Sequence, residues 1–90
     1  ENVDVKELIG HLKKKEWKEM RQWVASKISD YDASELFRSV YDHMLDHTEQ
    51  APHLVVLIGE YQYKSAFVVD QEINFTAFLT EVMANVEFNK

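Results

Sequence analysis

The stretch LIGEYQYKSAFVVDQEINFTAFLTEVM, residues 57–83, decides the fold class of this chain. It starts in an apolar segment, reaches Gly59, passes Tyr61, Tyr63 and Lys64, crosses the short, mostly apolar run from Ser65 to Val69, and restarts at Asp70. Beyond Asp70, Ile73, Ala77, Phe78, Val82 and Val86 recur at helical spacing, and Phe75, Leu79 and Met83 widen the stripe. Such spacing puts apolar side chains on one face of a 3.6-residue helix. An aspartate just ahead of the stripe is an N-cap, because its carboxylate accepts from the free N–H groups of the first turn. The stretch therefore reads as two helices, with a break at Gly59 and a capped return at Asp70.

Working outward, His53 to Tyr61 is apolar on nearly every side, the pattern of a central helix that neighbours cover all round. It opens at Thr48 to Pro52, with Pro52 in the first turn, where its missing N–H has no intrahelical partner to lose. The preceding helix carries Leu36, Phe37, Val40, Tyr41, Met44 and Leu45, and Asp32 with Glu35 forms an acidic capping box at its start. A second helix spans roughly Lys15 to Ile28, with Trp17, Met20, Val24 and Ile28 as its stripe and Trp23 and Ala25 to the sides. The first helix begins near Asp4, which pairs with Glu7 as a further box, and Val5, Leu8, Ile9 and Leu12 line its inner face. Between the first two helices, Lys13 to Glu16 contains neither glycine nor proline, so a break there rests on the shift in the stripe alone.

The chain has 90 residues, 46% of them hydrophobic, which supports one small domain over residues 1–90 with a real but modest core. Two glycines and one proline supply too few turns for an all-β fold of many short strands. The expectation is an all-α, compact five-helix bundle-like domain, with the fourth helix central and the third and fifth packed on it. The chain holds no cysteine, which excludes disulfides and thiolate metal sites. Its longest apolar run, Leu54 to Ile58, is far too short to span a bilayer, so no membrane partner is expected. The net charge of −6 is uneven. Residues 1–27 hold seven Lys/Arg against five Asp/Glu, and residues 28–90 hold three against eleven. An acidic majority argues against duplex DNA as a direct partner, since phosphate neutralisation needs clustered Lys/Arg.

No Ser/His/Asp set and no glycine-rich phosphate loop is legible, so no catalytic, cofactor-binding or metal residue is assigned and the chain is not read as an enzyme. His43 and His47 have the i, i+4 spacing that can put two imidazoles on one metal, but no third ligand stands out, which favours an exposed polar face. Lys13, Lys14, Lys15 and Lys18 form a basic knot suited to a solvated corner or an acidic protein contact. Trp17 reads as core. Trp23, Tyr61, Tyr63, Lys64 and Phe67 are the candidates for a subunit interface, because a small domain cannot easily cover every large aromatic it carries.

The order of elements in residues 57–83 resembles the last two helices of the small, ATPase-type subunits of DNA sliding-clamp loaders, relatives of the replication factor C small subunits. The matching residues are Leu57, Ile58, Gly59, Glu60 and Tyr61, then Tyr63 and Lys64, then Ile73, Phe75, Ala77, Phe78 and Leu79. "LKKKEWKEMRQWV" (12–24) and "YDASELFRSVYDHM" (31–44) are similar to the earlier helices of the T4-type phage version. Where cellular members carry arginine after the aromatic, this chain has Lys64, which keeps the charge but lacks the planar fork.

The resemblance implies a C-terminal collar, the five-helix module that joins clamp-loader subunits into a pentameric ring. It implies that the chain, which opens at Glu1, is the end of a longer AAA+ subunit whose preceding domains bind ATP and Mg. Its partners would be other clamp-loader subunits, like and unlike. The sliding clamp and primer–template DNA would be met only through the preceding domains, in the cytoplasm of a phage-infected bacterium. The alternative is a stand-alone helical adaptor that binds a partner helix. A helix-turn-helix DNA binder is disfavoured, because no helix carries the needed Arg/Lys/Asn/Gln cluster.

Overall fold

The computed structural model describes residues 4–88. Within them lie α1 (Lys6–Lys13), α2 (Trp17–Ile28), α3 (Ala33–Met44), a short 3-10 turn (Leu45–His47), α4 (Ala51–Ser65) and α5 (Gln71–Asn85), with no strand among the described residues. The all-helical expectation holds.

Local chemistry sets most of the boundaries. Asp32 and Glu35 form the expected capping box, with the Asp32 N–H donating to Glu35 Oε1 at 2.9 Å. Asp70 caps α5, its Oδ1 accepting from the Ile73 N–H at 3.1 Å. Pro52 sits in the first turn of α4. At α1 the capping differs from the box expected: Asp4 Oδ1 accepts from the Lys6 N–H at 2.9 Å, one residue short of the box spacing.

The break between α1 and α2 is made by a lysine. Lys15 adopts φ 57, the left-handed region, the one non-glycine among the described residues with positive φ. That conformation costs an L-residue about 1–2 kcal/mol. Two contacts offset it. Lys15 Nζ donates to the Met83 carbonyl of α5 at 2.8 Å, and His11 Nδ1 lies 2.8 Å from Glu16 Oε1 across the turn.

The core is one cluster, and α5 runs through its middle. Phe75, Phe78, Leu79 and Val82 are fully buried, and α5 packs against α1, α2 and α4. Its rings also reach α3: Phe37 stands edge-on to Phe75 with centroids 4.9 Å apart, and lies 5.2 Å from Phe78. Tyr61 of α4 adds a fourth ring, 5.7 Å from Phe78.

The expected central helix is therefore corrected. α4 does pack against α3 and α5, but only Leu54, Leu57, Ile58 and Tyr61 point inward. Val55 and Val56 on its other side are 40% and 61% exposed. α5 takes the more central place because its inward stripe is longer, continuing from Phe75 to Val86, while Ile73, Ala77, Thr80 and Ala84 stay at the surface. The break at Gly59 is also corrected. α4 continues through Gly59 to Ser65, and the glycine needs no special backbone conformation.

Four stripe residues, Trp17, Tyr41, Ile73 and Ala77, turn outward. Trp17 is 43% exposed, at the first position of α2, where its indole N–H donates to Thr80 Oγ1 at 2.9 Å. Its expected place in the core is taken by Trp23, together with Met20 and Val24. Tyr41 stays at the rim under Arg38, whose guanidinium lies 5.0 Å from the ring centre. Ile73 is 67% exposed, because the inward face of α5 runs through Phe75, Phe78, Leu79, Val82 and Met83.

Candidate interaction surface

The five candidate interface residues separate into two groups. Trp23 is 5% exposed and Tyr61 8%, so both belong to the core, and neither presents its ring to a partner. Trp23 is drawn in because Trp17 starts the helix at its solvent end, leaving the inner face of α2 to Met20, Trp23 and Val24. Tyr61 occupies the inward position one turn after Leu57 and Ile58. Its hydroxyl donates to Glu81 Oε1 at 2.6 Å, and its carbonyl accepts from Asn74 Nδ2 at 3.2 Å. The hydrogen bond to the Glu81 carboxylate, reinforced by burial and by the charges of Glu81 and Glu60, pushes the Tyr61 phenol up to about 12.

Tyr63, Lys64 and Phe67 stand outside. Tyr63 is 71% exposed and Phe67 70%, and their rings meet with centroids 5.2 Å apart. The contact is set by the end of α4. Helical spacing brings Tyr63 and Phe67 to one face, and the Phe67 N–H still donates to the Lys64 carbonyl at 2.9 Å. Lys64 Nζ lies 4.5 Å from the centre of the Tyr61 ring, a cation–π contact on the edge of the core. The connection to α5 adds Val69, fully exposed, and Ile73.

Upstream on α4, Val56 and Gly59 fall on the face of Tyr63 at i, i+3 and i+7, with Val55 beside them. The outer face of α4 and the connection that follows thus form a continuous apolar strip: Val55, Val56, Gly59, Tyr63, Phe67 and Val69. Glu60 and Lys64 border it. Large apolar residues gathered in one exposed strip mark contact surfaces in soluble proteins, whereas single ones are ordinary. The residue-type signal for this strip, apolar positions all round His53 to Tyr61, was present in the sequence. It reads equally as burial within the chain or as burial by a partner.

The basic knot is partly spent on the fold. Lys15 is tied to Met83, while Lys13, Lys14 and Lys18 remain exposed beside Trp17. His43 and His47 do not share a regular helix, because α3 ends at Met44 and His47 closes the 3-10 turn. They border a shallow groove with Asp4, Val5, Lys6, Ile9, Asp42 and Asp46. Among the described residues no group of three or more His, Asp or Glu is placed to hold a metal ion. No described helix is long and apolar enough to cross a membrane.

The chain matches no family model, no curated protein and no solved structure. The geometry of its surface and the resemblance in its sequence are therefore what a functional reading rests on.

Proposed function

We propose that this chain is an assembly domain of the clamp-loader collar type. In this reading it joins the small, ATPase-type subunits of a T4-like phage clamp loader into a pentameric ring. It thereby supports ATP-dependent loading of the processivity clamp onto primed DNA in the cytoplasm of the infected cell. ATP, Mg, clamp and DNA are handled by domains outside this chain, and its own contribution is adhesion between subunits.

The observation that carries the reading is the exposed apolar strip on α4. A core helix of a five-helix domain has a second apolar face, Val55, Val56 and Tyr63 continuing to Phe67, that the chain itself leaves uncovered. A subunit whose work is to hold neighbours needs such a face. Four of the residues that carry the sequence resemblance, Gly59, Glu60, Tyr63 and Lys64, lie in or beside the strip, while Leu57, Ile58, Tyr61, Phe75, Phe78 and Leu79 are core. The acidic balance of residues 28–90 suits a region that stands away from DNA.

The reading frame upstream of Glu1 is the direct test. A P-loop followed by a strand ending in an Asp-Glu Walker B pair supports the collar reading. A frame that starts at or near Glu1 overturns it and leaves the stand-alone adaptor, which would use the same strip. In a full-length subunit, Phe67→Glu is expected to reduce ring assembly, measured by mass photometry, while ATP binding by the preceding domains is retained.

A further inference from the structure

We infer that the outer face of α4 is self-complementary and takes a second copy of this chain, the two α4 helices packed antiparallel about a two-fold axis. The inference goes beyond the collar reading. It concerns how two free chains meet, and it stands or falls whichever larger assembly the domain serves.

Gly59 is the starting point. It lies in the interior of α4 with ordinary helical backbone, and a Cβ added there would meet nothing within 4 Å. Neither a turn, a positive φ nor a close neighbour within the chain calls for glycine, and glycine is a poor residue in a helix interior. The remaining physical use of a missing side chain on an exposed helix face is close approach of something from outside.

The strip around it is graded in size. Its N-terminal half is small, Val55, Val56 and Gly59, and its C-terminal half is large, Tyr63 and Phe67. Parallel pairing in register would set large against large and leave a gap at each glycine. Antiparallel pairing sets each large end on the other copy's small end: Tyr63 over Gly59, and Phe67 over Val56. Packing to normal density favours the second arrangement.

Charge agrees with size. Glu60 and Lys64 are both exposed and border the strip on one flank at i, i+4. A two-fold axis across an antiparallel helix pair brings like flanks together, so Glu60 of each copy faces Lys64 of the other. The same register thus satisfies Gly59 with Tyr63, Val56 with Phe67 and Glu60 with Lys64. In the single chain Lys64 rests over the Tyr61 ring, and its flexible stem can swing from there to a carboxylate across the interface. An isologous contact of this kind closes at two copies. It is one helix wide, smaller than the ~800 Å² per partner of a standard interface, so association is expected in the micromolar range or weaker.

The test is sedimentation velocity of the 90-residue chain over a wide concentration range. A reversible monomer–dimer equilibrium is expected, and a monomer at every concentration overturns the inference. Gly59→Leu is expected to abolish the dimer while leaving the circular-dichroism melt of dilute protein intact, since the site is open within one chain. A dimer indifferent to that change overturns it. Glu60→Lys and Lys64→Glu are each expected to weaken self-association by roughly three- to tenfold, and an equal mixture of the two variants to restore a wild-type-strength heterodimer. Because the chain holds no cysteine, orientation can be read by crosslinking. A Glu60→Cys chain should form a disulfide with a Lys64→Cys chain; a parallel pair brings unlike flanks together and disfavours that bond, so its absence, or a preferred bond between two Glu60→Cys chains, would sink the antiparallel register. Ring assembly by the full-length subunit is measured separately, so failure here leaves the collar reading to its own test.

Discussion

Tyr61 and Glu81 join α4 to α5 through a 2.6 Å hydrogen bond in which the phenol donates to the carboxylate, beside a ring contact between Tyr61 and Phe78. The bond exists only while the phenol keeps its proton. The raised value of about 12 against an ordinary 10 means that the folded chain binds this proton more tightly than the unfolded chain. Its contribution to stability is therefore complete below pH 10 and is lost as pH rises from 10 to 12, where the unfolded state ionises first. Denaturant melts at rising pH should show this loss, and Tyr61→Phe should be less stable at neutral pH yet lack the Tyr61 step. An ultraviolet titration should show a tyrosine ionising near pH 12 that Tyr61→Phe removes.

Phe78 is the hub of the ring cluster, touching Phe37, Phe75 and Tyr61. Phe78→Ala is expected to cost about 3–5 kcal/mol through lost burial and the cavity left behind. Native small domains hold roughly 5–15 kcal/mol in all. The variant should therefore be marginal or unfolded at room temperature, as measured by urea denaturation. A midpoint close to wild type would contradict the central place given to α5.

Gly59→Ala should act in the opposite direction. The site is regular helix with open space at the Cβ position, so alanine is accommodated without strain. A gain of about 1 kcal/mol is expected from the helix propensity difference, raising Tm by roughly 4–8 °C in dilute protein. Loss of stability would show that the helix at Gly59 is under a constraint the single chain does not display.

The two tryptophans are expected to separate by fluorescence. Trp23 is core and Trp17 is 43% exposed at the start of α2. Trp17→Phe should leave a blue-shifted emission that acrylamide quenches poorly. Trp23→Phe should leave a red-shifted, readily quenched one and should destabilise the chain by more than 1 kcal/mol. Trp17→Phe loses the Thr80 contact at the surface and should change stability by no more than about 0.5 kcal/mol.

Helix starts were legible at most local signals, while the Asp4–Glu7 box and the break at Gly59 were not borne out. The acidic caps at Asp32 and Asp70 and the proline in the first turn of α4 appear where the sequence places them, because capping satisfies N–H groups only two or three residues away. The turn at Lys15 was less legible. A left-handed lysine carries no sequence signature, and it is held partly by a carbonyl 68 residues distant in the chain. Of the candidate contact residues, Tyr63, Lys64 and Phe67 are outside and Trp23 and Tyr61 are inside. The four aromatics have types found both in cores and at interfaces, so composition could not sort them, whereas Lys64 is outside as a lysine normally is.

By itself, the sequence determined that this is an all-helical protein, roughly where most helices begin, and that its apolar residues exceed what one thin stripe per helix requires. Those properties follow from spacing and capping, which act over a turn or two of chain. Only the tertiary structure decided which of two apolar helices takes the more central place. α4 looks the more buried in sequence because it is apolar all round. α5 takes the centre because its continuous inward face meets α1, α2 and α4 and the Phe37 ring of α3 together. Which face of a two-faced helix goes inward depends on what its neighbours can cover, and a chain this short runs out of neighbours before α4 is enclosed.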